Sequence, residues 1–342
     1  MAEAQTLAAK DKHEIIYGIA PGIRFATLLD GRGGCSDLTV EQLREWKPGH
    51  GVLWVHTERD DNSCREWLST GSGLDPMITE ALLAEESRPR IETYEDALMV
   101  VLRGVNHNDR ETPEDLVPIH VWVDQDRIIS LRDKDTPIWA LRQIREALVG
   151  GHGPRTVGGL FARIAAQIMQ HLEPLVDEIE DDIDDLDEKI ADTPRSEARR
   201  TLSEIRRHAT KLRRWLAPQR EAMYRLQNEE LSWLGQREKI QLREVTDRLL
   251  RYMESLDAVR DRATILHDDL TSLISEQIGR NSYRLTAVAA VLLPPTLVTG
   301  IFGQNLGGLW GGQHPWAFTI GVGAEVLMMP LVWLLLRRAG WL

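Results

Sequence analysis

Apolar positions in the first 150 residues come in short β-rich runs bounded by turn-forming residues: Ile23–Leu29, Gly51–His56, Ala97–Val105, Ile119–Val123 and Ile128–Leu131. Such runs predict strands. Val40–Trp46, Asp75–Ala84 and Ile138–Leu148 carry helical spacing instead, and Asp75-Pro76 supplies a cap followed by proline at the first helical position. The mixture predicts a cytosolic α/β domain over residues 1–150. Gly151-His152-Gly153-Pro154 breaks the chain, and the texture beyond it is helical. Ile168, Leu172, Leu175, Ile179, Ile183, Leu186 and Ile190 step by three and four, a buried stripe on one helix with a kink at Pro174. Thr193-Pro194 opens a basic helix through Arg199, Arg206 and Arg213, and Ala217-Pro218 closes it. Val245, Leu249, Tyr252, Leu256, Val259, Ala263, Leu266, Leu270 and Leu273 then form a heptad seam. Gln219 to Leu293 holds no proline. At ~1.5 Å per residue that run predicts a continuous helix on the order of 110 Å long.

The helix runs into Leu285–Phe302, eighteen residues without a charge, and Trp316–Leu336 follows, twenty-one residues with one charge, Glu325. A membrane-crossing helix needs about 20 apolar residues. The pattern therefore predicts a helical stalk over 151–284, a first span at 285–303, an outer connection at 304–315, a second span at 316–336 and a basic tail at 337–342. Arg280 and Arg284 precede the first span, Arg337 and Arg338 follow the second, and Gly303–Pro315 has no Lys or Arg. The positive-inside rule puts both termini in the cytoplasm. A lone hairpin cannot enclose a water-filled path, so the long helix with its self-complementary seam predicts several copies around an axis.

Composition narrows the function. The 342 residues carry a net charge of −12, which excludes a general nucleic-acid binder. Two cysteines, Cys35 and Cys64, build neither a disulfide framework nor a four-thiolate zinc site. Met1–Lys12 has no apolar core and does not read as a signal peptide. The mean hydropathy of −0.30 reads as soluble only because the apolar residues are concentrated near one end.

Candidate chemistry is sparse. Asp177–Glu188 has nine acidic residues in twelve, either a solvated helix face or a surface that concentrates cations. His107, His120, His152, His171, His208 and His267 form no i,i+4 pair. His314, on the outer connection, is either a surface residue or a loose point of metal capture. No nucleophile elbow, phosphate loop or dinucleotide fingerprint is present, Gly31-Arg32-Gly33-Gly34 lacking the required context, so the chain is not read as an enzyme and needs no cofactor. Gly303-Gln304-Asn305 ends the first span. Repeated around an axis, Asn305 makes a ring of neutral dipoles that can hold the water around a cation without stripping it. Glu325 is either a neutral acid hydrogen-bonded to Thr296 or Thr299, or a proton-binding site coupled to transport.

Leu292–Gly308, LLPPTLVTGIFGQNLGG, resembles the signature of the CorA metal-ion transporter superfamily. Gly307-Gly308 resembles its zinc-transporter (ZntB) branch, as do Arg88–Glu92, Leu102–Asn106 and Pro113–Asp115 in the cytosolic part and the basic tail. The resemblance implies a funnel-shaped homopentamer in the bacterial inner membrane, its first span lining a pore and its second facing lipid. It places Gly303, Gln304 and Asn305 at the outer mouth. Gly300 belongs to the same signature, and Thr296, Leu293, Ala289, Leu285 and Ser282 would face the axis, with Asp268 at an acidic position of the lower pore. It implies transport of divalent cations, Zn2+ first and Mg2+, Co2+ or Ni2+ as the alternative, coupled to a proton gradient. Two positions depart from the family pattern. Gln304 stands where an apolar residue is usual, and Gly279 stands where an inner asparagine is usual, displacing any inner polar ring onto Asn281 or Ser282. A membrane-anchored coiled-coil scaffold is the reading from a different class.

Overall fold

The computed structural model describes residues 22–85, 88–106, 115–134, 136, 138–190, 192–303 and 315–340. Its contacts divide the chain into two units, Met1–Leu266 and His267–Leu342.

The first unit is built on one mixed sheet. Strands β1 (Ile23–Leu29), β2 (Cys35–Asp37), β3 (Leu53–Glu58), β4 (Arg90–Tyr94), β5 (Ala97–Gly104), β6 (Val117–Val123) and β7 (Arg127–Arg132) lie in the order β2-β1-β3-β7-β6-β5-β4. Every neighbouring pair is antiparallel except β3 with β7. The five expected strands are all present. The two that the apolar pattern misses, β2 and β4, are the sheet edges, and neither has a fully buried residue. Gly31-Arg32-Gly33-Gly34 is the β1–β2 turn. The Asp30 carboxylate accepts from the Arg32 and Gly34 N–H groups, and Gly31 and Gly33 take φ of +71° and +110°, which an L side chain resists.

Helices α1 (Val40–Glu45), α2 (Asn62–Thr70), α3 (Pro76–Leu83) and α4 (Trp139–Val149) complete the α/β part. Helices α2 and α3 cover one face, packing Cys64, Leu68 and Leu82 on Met99, Trp122, Ile129 and Leu131. Helix α2, NSCREWLST, was illegible by spacing because only Cys64 and Leu68 are buried; its one signal was the Asp61 cap, which accepts from the Ser63 N–H. Helix α5 (Val157–Gln170) packs on β5 and β7, with Ile168 against Gly104 and Ile119 on the opposite face.

Prolines act differently here from the sequence expectation. The stripe from Ile168 to Ile190 belongs to two helices, α5 and α6 (Glu173–Lys189), because Pro174 starts the second rather than kinking one. Conversely, α7 (Arg195–Leu226) continues through Pro218. Proline removes one intrahelical bond, but Leu212, Leu216, Gln219, Ala222, Met223 and Leu226 are buried on both sides of it and hold the helix in line. The break comes at 227–235 instead, so the long helix α8 is Gln236–Phe302, 67 residues.

Gln219 has a specific task. Pairing of β5 with β4 stops at Val101, which leaves the Arg103 backbone at an open edge. The Gln219 Oε1 accepts from the Arg103 N–H at 2.6 Å, and its Nε2 donates to the Arg103 carbonyl at 3.2 Å. One buried side-chain amide thus replaces a strand residue, while the Arg103 guanidinium stacks 3.5 Å over the Trp215 ring one turn earlier. Gln219→Ala leaves two buried backbone groups unmet. The expected loss is about 2 kcal/mol, read as a lower midpoint in denaturant unfolding; an unchanged midpoint would remove Gln219 as the link between sheet and helix.

The heptad seam is filled differently from the expectation of an oligomer axis. Val245, Leu249, Tyr252, Leu256, Val259, Ala263 and Leu266 are all buried within the single chain. Polar contacts run from the same helix to its own α6 and α7: Asp257 pairs with Arg213, Arg262 pairs with Asp184 and Asp187, and Gln227 bonds Thr246. A 3-4 pattern reports that a helix face is buried, not which chain buries it. The acidic run behaves as a solvated face. Ile179, Ile183 and Leu186 point inward, Asp184 and Asp187 pair with Arg262, and Asp185 pairs with Lys189 on its own helix.

Candidate functional site

The second unit holds the end of α8 and helix α9 (Ala317–Arg338), the two helices among the described residues that are long and apolar enough to cross a membrane. Almost none of their apolar length is buried in the chain. Leu285, Val288, Leu292, Leu293, Leu297 and Ile301 on α8, and Phe318, Ile320, Val326, Leu327 and Leu331 on α9, are all exposed. That much apolar surface requires lipid or other apolar chains around it. Trp316 precedes α9, and near its other end the Arg337 guanidinium lies 5.3 Å from the Trp333 ring, amphipathic groups suited to the membrane boundary.

Three local features define this segment of α8. Pro294 and Pro295 lack N–H groups, so the Ala290 and Val291 carbonyls have no donor four residues on. Helix α8 ends where Gly303 donates its N–H to the Thr299 carbonyl at 2.7 Å. A Cβ at Gly303 would stand 2.9 Å from that same oxygen, so only glycine fits. The third feature links the two helices: the Thr299 hydroxyl lies 2.7 Å from Glu325 Oε1 and 3.0 Å from the Pro295 carbonyl.

The family described as CorA-like Mg2+ transporter protein matches residues 49–338. The chain belongs to the CorA-like family. Zinc transport protein ZntB of Pectobacterium carotovorum is 32% identical over 323 residues, 94% of this chain and 96% of that protein. Among solved structures, the full-length CmaX protein aligns with a TM-score of 0.80 at 30% identity, covering 95% of this chain and 100% of that one. The CorA magnesium transporter of Methanocaldococcus jannaschii aligns at a TM-score of 0.78 over 93% of this chain and 98% of that one; at 17% identity it shows the shared fold. The CorA-like family is one of transporters, and the N-terminal α/β sheet domain, long helix and two C-terminal apolar helices are its architecture.

Within this CorA-like frame, Ser282, Leu285, Ala289, Leu293, Thr296 and Gly300 are all exposed on α8, left uncovered by α9. The Thr296 hydroxyl is occupied by the Leu292 carbonyl of its own helix at 2.8 Å. Of the two threonine partners considered for Glu325, the structure brings together Thr299 and not Thr296. Asp268 is exposed on α8, and no group of three His, Cys, Asp or Glu side chains that could hold a metal occurs among the described residues. Gln304, Asn305, Gly307, Gly308 and His314 lie outside the described residues. Sequence reading missed the part played by Pro295. Its signal was the spacing Pro295–Thr299, which puts a hydroxyl against a proline carbonyl one turn away.

Proposed function

We propose that the chain is one subunit of a homopentameric inner-membrane transporter that carries divalent cations, zinc first, along the pentamer axis. The observation that carries the metal assignment is the 32% identity with a zinc transport protein over an alignment that covers 94% of the chain. Magnesium, cobalt or nickel is the competing cargo. In this reading 285–303 lines the pore, 316–336 faces lipid, 304–315 is a periplasmic loop and both termini are cytoplasmic. The charge of −12 draws cations toward the protein, and Asp268 adds to that field at the lower pore. At the outer mouth the Asn305 carboxamides accept hydrogen bonds from the ion's own water. Divalent ions dehydrate reluctantly, so a neutral ring can hold the hydrated ion without paying for dehydration. Below it the path is Gly300, Thr296, Leu293, Ala289, Leu285 and Ser282, uncharged throughout. Gln304 adds a second amide beside Asn305, and Gly279 leaves the inner ring to Asn281 or Ser282.

Flux of purified protein in liposomes, with the metal and the pH gradient varied separately, tests the reading. Zinc accumulation above the rates for magnesium, cobalt and nickel is expected, and protein that moves none of these would leave a membrane-anchored scaffold. Leu293 supports a narrower prediction. Its side chain is exposed in the single chain, and a ring of leucines closes a pore by excluding water. Leu293→Ser is expected to raise leak and lower discrimination between zinc and magnesium. Labelling of a cysteine at 293 by lipid-soluble but not aqueous reagents would show that this face meets lipid instead.

A further inference from the structure

Hydrogen counting at Thr299 gives the contact with Glu325 a direction. A threonine hydroxyl has one hydrogen, and the Pro295 carbonyl can only accept. Thr299 Oγ1 stands 3.0 Å from that carbonyl and 2.7 Å from Glu325 Oε1. Each contact has a hydrogen of its own only with Glu325 neutral, Glu325 donating its O–H to Thr299 and Thr299 donating its hydrogen to Pro295; with Glu325 ionised, Thr299 is the donor to both and its one hydrogen is divided between them. When Glu325 gives its proton to water, the charged carboxylate draws the single Thr299 hydrogen toward itself and the bond to the Pro295 carbonyl weakens.

We propose that Thr299 transmits the protonation state of Glu325, on the second apolar helix, to the proline step of the first. Thr299 is a positioning residue in this scheme, and the proposal rests on the transport reading above. The surroundings isolate the pair. Between Arg284 and Phe302 α8 has no titratable side chain, and in α9 Glu325 is alone until Arg337. The receiving end is the softest part of α8. Ala290 and Val291 already lack backbone donors, and a threonine bonded to the carbonyl four residues back favours bending. Strengthening and weakening the Thr299–Pro295 bond therefore alters the bend at the step that carries Leu293, Thr296 and Gly300. No redox partner or cofactor is involved; the proton comes from and returns to bulk water.

The test uses the full-length protein in liposomes, zinc as the probe and uptake with and without an imposed pH gradient. Three variants are compared: Glu325→Gln, Thr299→Val, which keeps the shape without the hydroxyl, and Thr299→Ser, which restores it. Infrared spectroscopy follows the carboxylic-acid band of Glu325, assigned by its loss in Glu325→Gln. We expect the gradient to stimulate wild-type uptake and this stimulation to vanish in Thr299→Val while Glu325 still takes up its proton. Thr299→Ser should recover it, and Glu325→Gln should be insensitive to the gradient. A purely structural Thr299 would lower uptake with and without the gradient alike and leave their ratio unchanged, which overturns the proposal. A Thr299→Val protein with the wild-type gradient response overturns it too, as does a Glu325→Gln protein that still responds. Wild-type protein that moves no zinc at any pH would sink the transport reading instead. In that event the infrared band still decides the contact, since neutral Glu325 must shift its frequency when the Thr299 hydroxyl is removed.

Discussion

Replacing Asn305 with alanine is expected to cut zinc uptake by about tenfold or more while the oligomer still assembles. A tenfold change is ~1.4 kcal/mol, a modest demand on a ring that removes one carboxamide acceptor per subunit. Hydrogen bonds within the ion's charged first shell are worth more than neutral ones. Assembly should survive because the helix end belongs to a different residue. Helix α8 closes at Phe302, and Gly303 behind it still donates to the Thr299 carbonyl in a place with little room for a Cβ. Asn305→Asp supplies the comparison. It keeps an oxygen acceptor and adds charge, so it should retain uptake but bind the ion more tightly and release it more slowly. Uptake into liposomes gives the flux, and native mass spectrometry or light scattering gives the assembly. An assembled Asn305→Ala protein with wild-type flux would remove the outer amide ring from the mechanism.

Gly303 also shows what the sequence could reveal. The end of α8 at Phe302 was legible because a glycine follows an uncharged run of helical length, and at Gly303 itself a Cβ would crowd the Thr299 carbonyl. Strands β1, β3, β5, β6 and β7 were legible because they occupy the centre of the sheet, where burial on both faces gives dense β-branched runs. Edge strand β4, RIETY, is only half-buried along its length and carries no such density. The heptad seam was legible as a buried face, but its partner was not, because spacing encodes a face and never the identity of what covers it. Pro218 misled for a related reason. Local preference ends a helix there, and buried residues on both sides of it, Leu216 and Gln219 nearest, override it with tertiary contacts. The Thr299–Glu325 contact joins residues 26 apart in the chain, and periodicity carries no information at that range.

Acid should destabilise the sheet-bearing unit well before it protonates most surface carboxylates. His56 is buried on β3, its Nδ1 3.0 Å from the Ser130 hydroxyl, and burial together with the nearby Arg132 guanidinium pushes its pKa down to about 3. His120, buried on β6, is pushed down to about 4 by burial and then by Arg59. Both values lie below the unfolded value of about 6.5, so the unfolded chain binds protons first. The stability these two rings contribute is complete above pH ~6.5 and is lost as pH falls toward the folded values. Each ring costs up to ~1.4 kcal/mol per pH unit, so going from pH 7 to pH 5 removes about 4 kcal/mol in all. That is a large share of the ~5–15 kcal/mol typical of a folded protein. Denaturant unfolding followed by near-UV circular dichroism between pH 7.5 and 5 reads the slope directly. His56→Gln, which can still hydrogen-bond Ser130 but does not titrate, and His120→Leu, which fills the apolar site, should each remove about half of it. A slope that both variants leave untouched would mean that the acid sensitivity lies elsewhere. The same numbers set the window for the transport experiments. A fall in zinc uptake that follows the measured unfolding curve would report this unit rather than the pore, so the gradient response of the Glu325 and Thr299 variants is compared with wild type at matched pH under conditions where that curve shows the sheet-bearing unit folded.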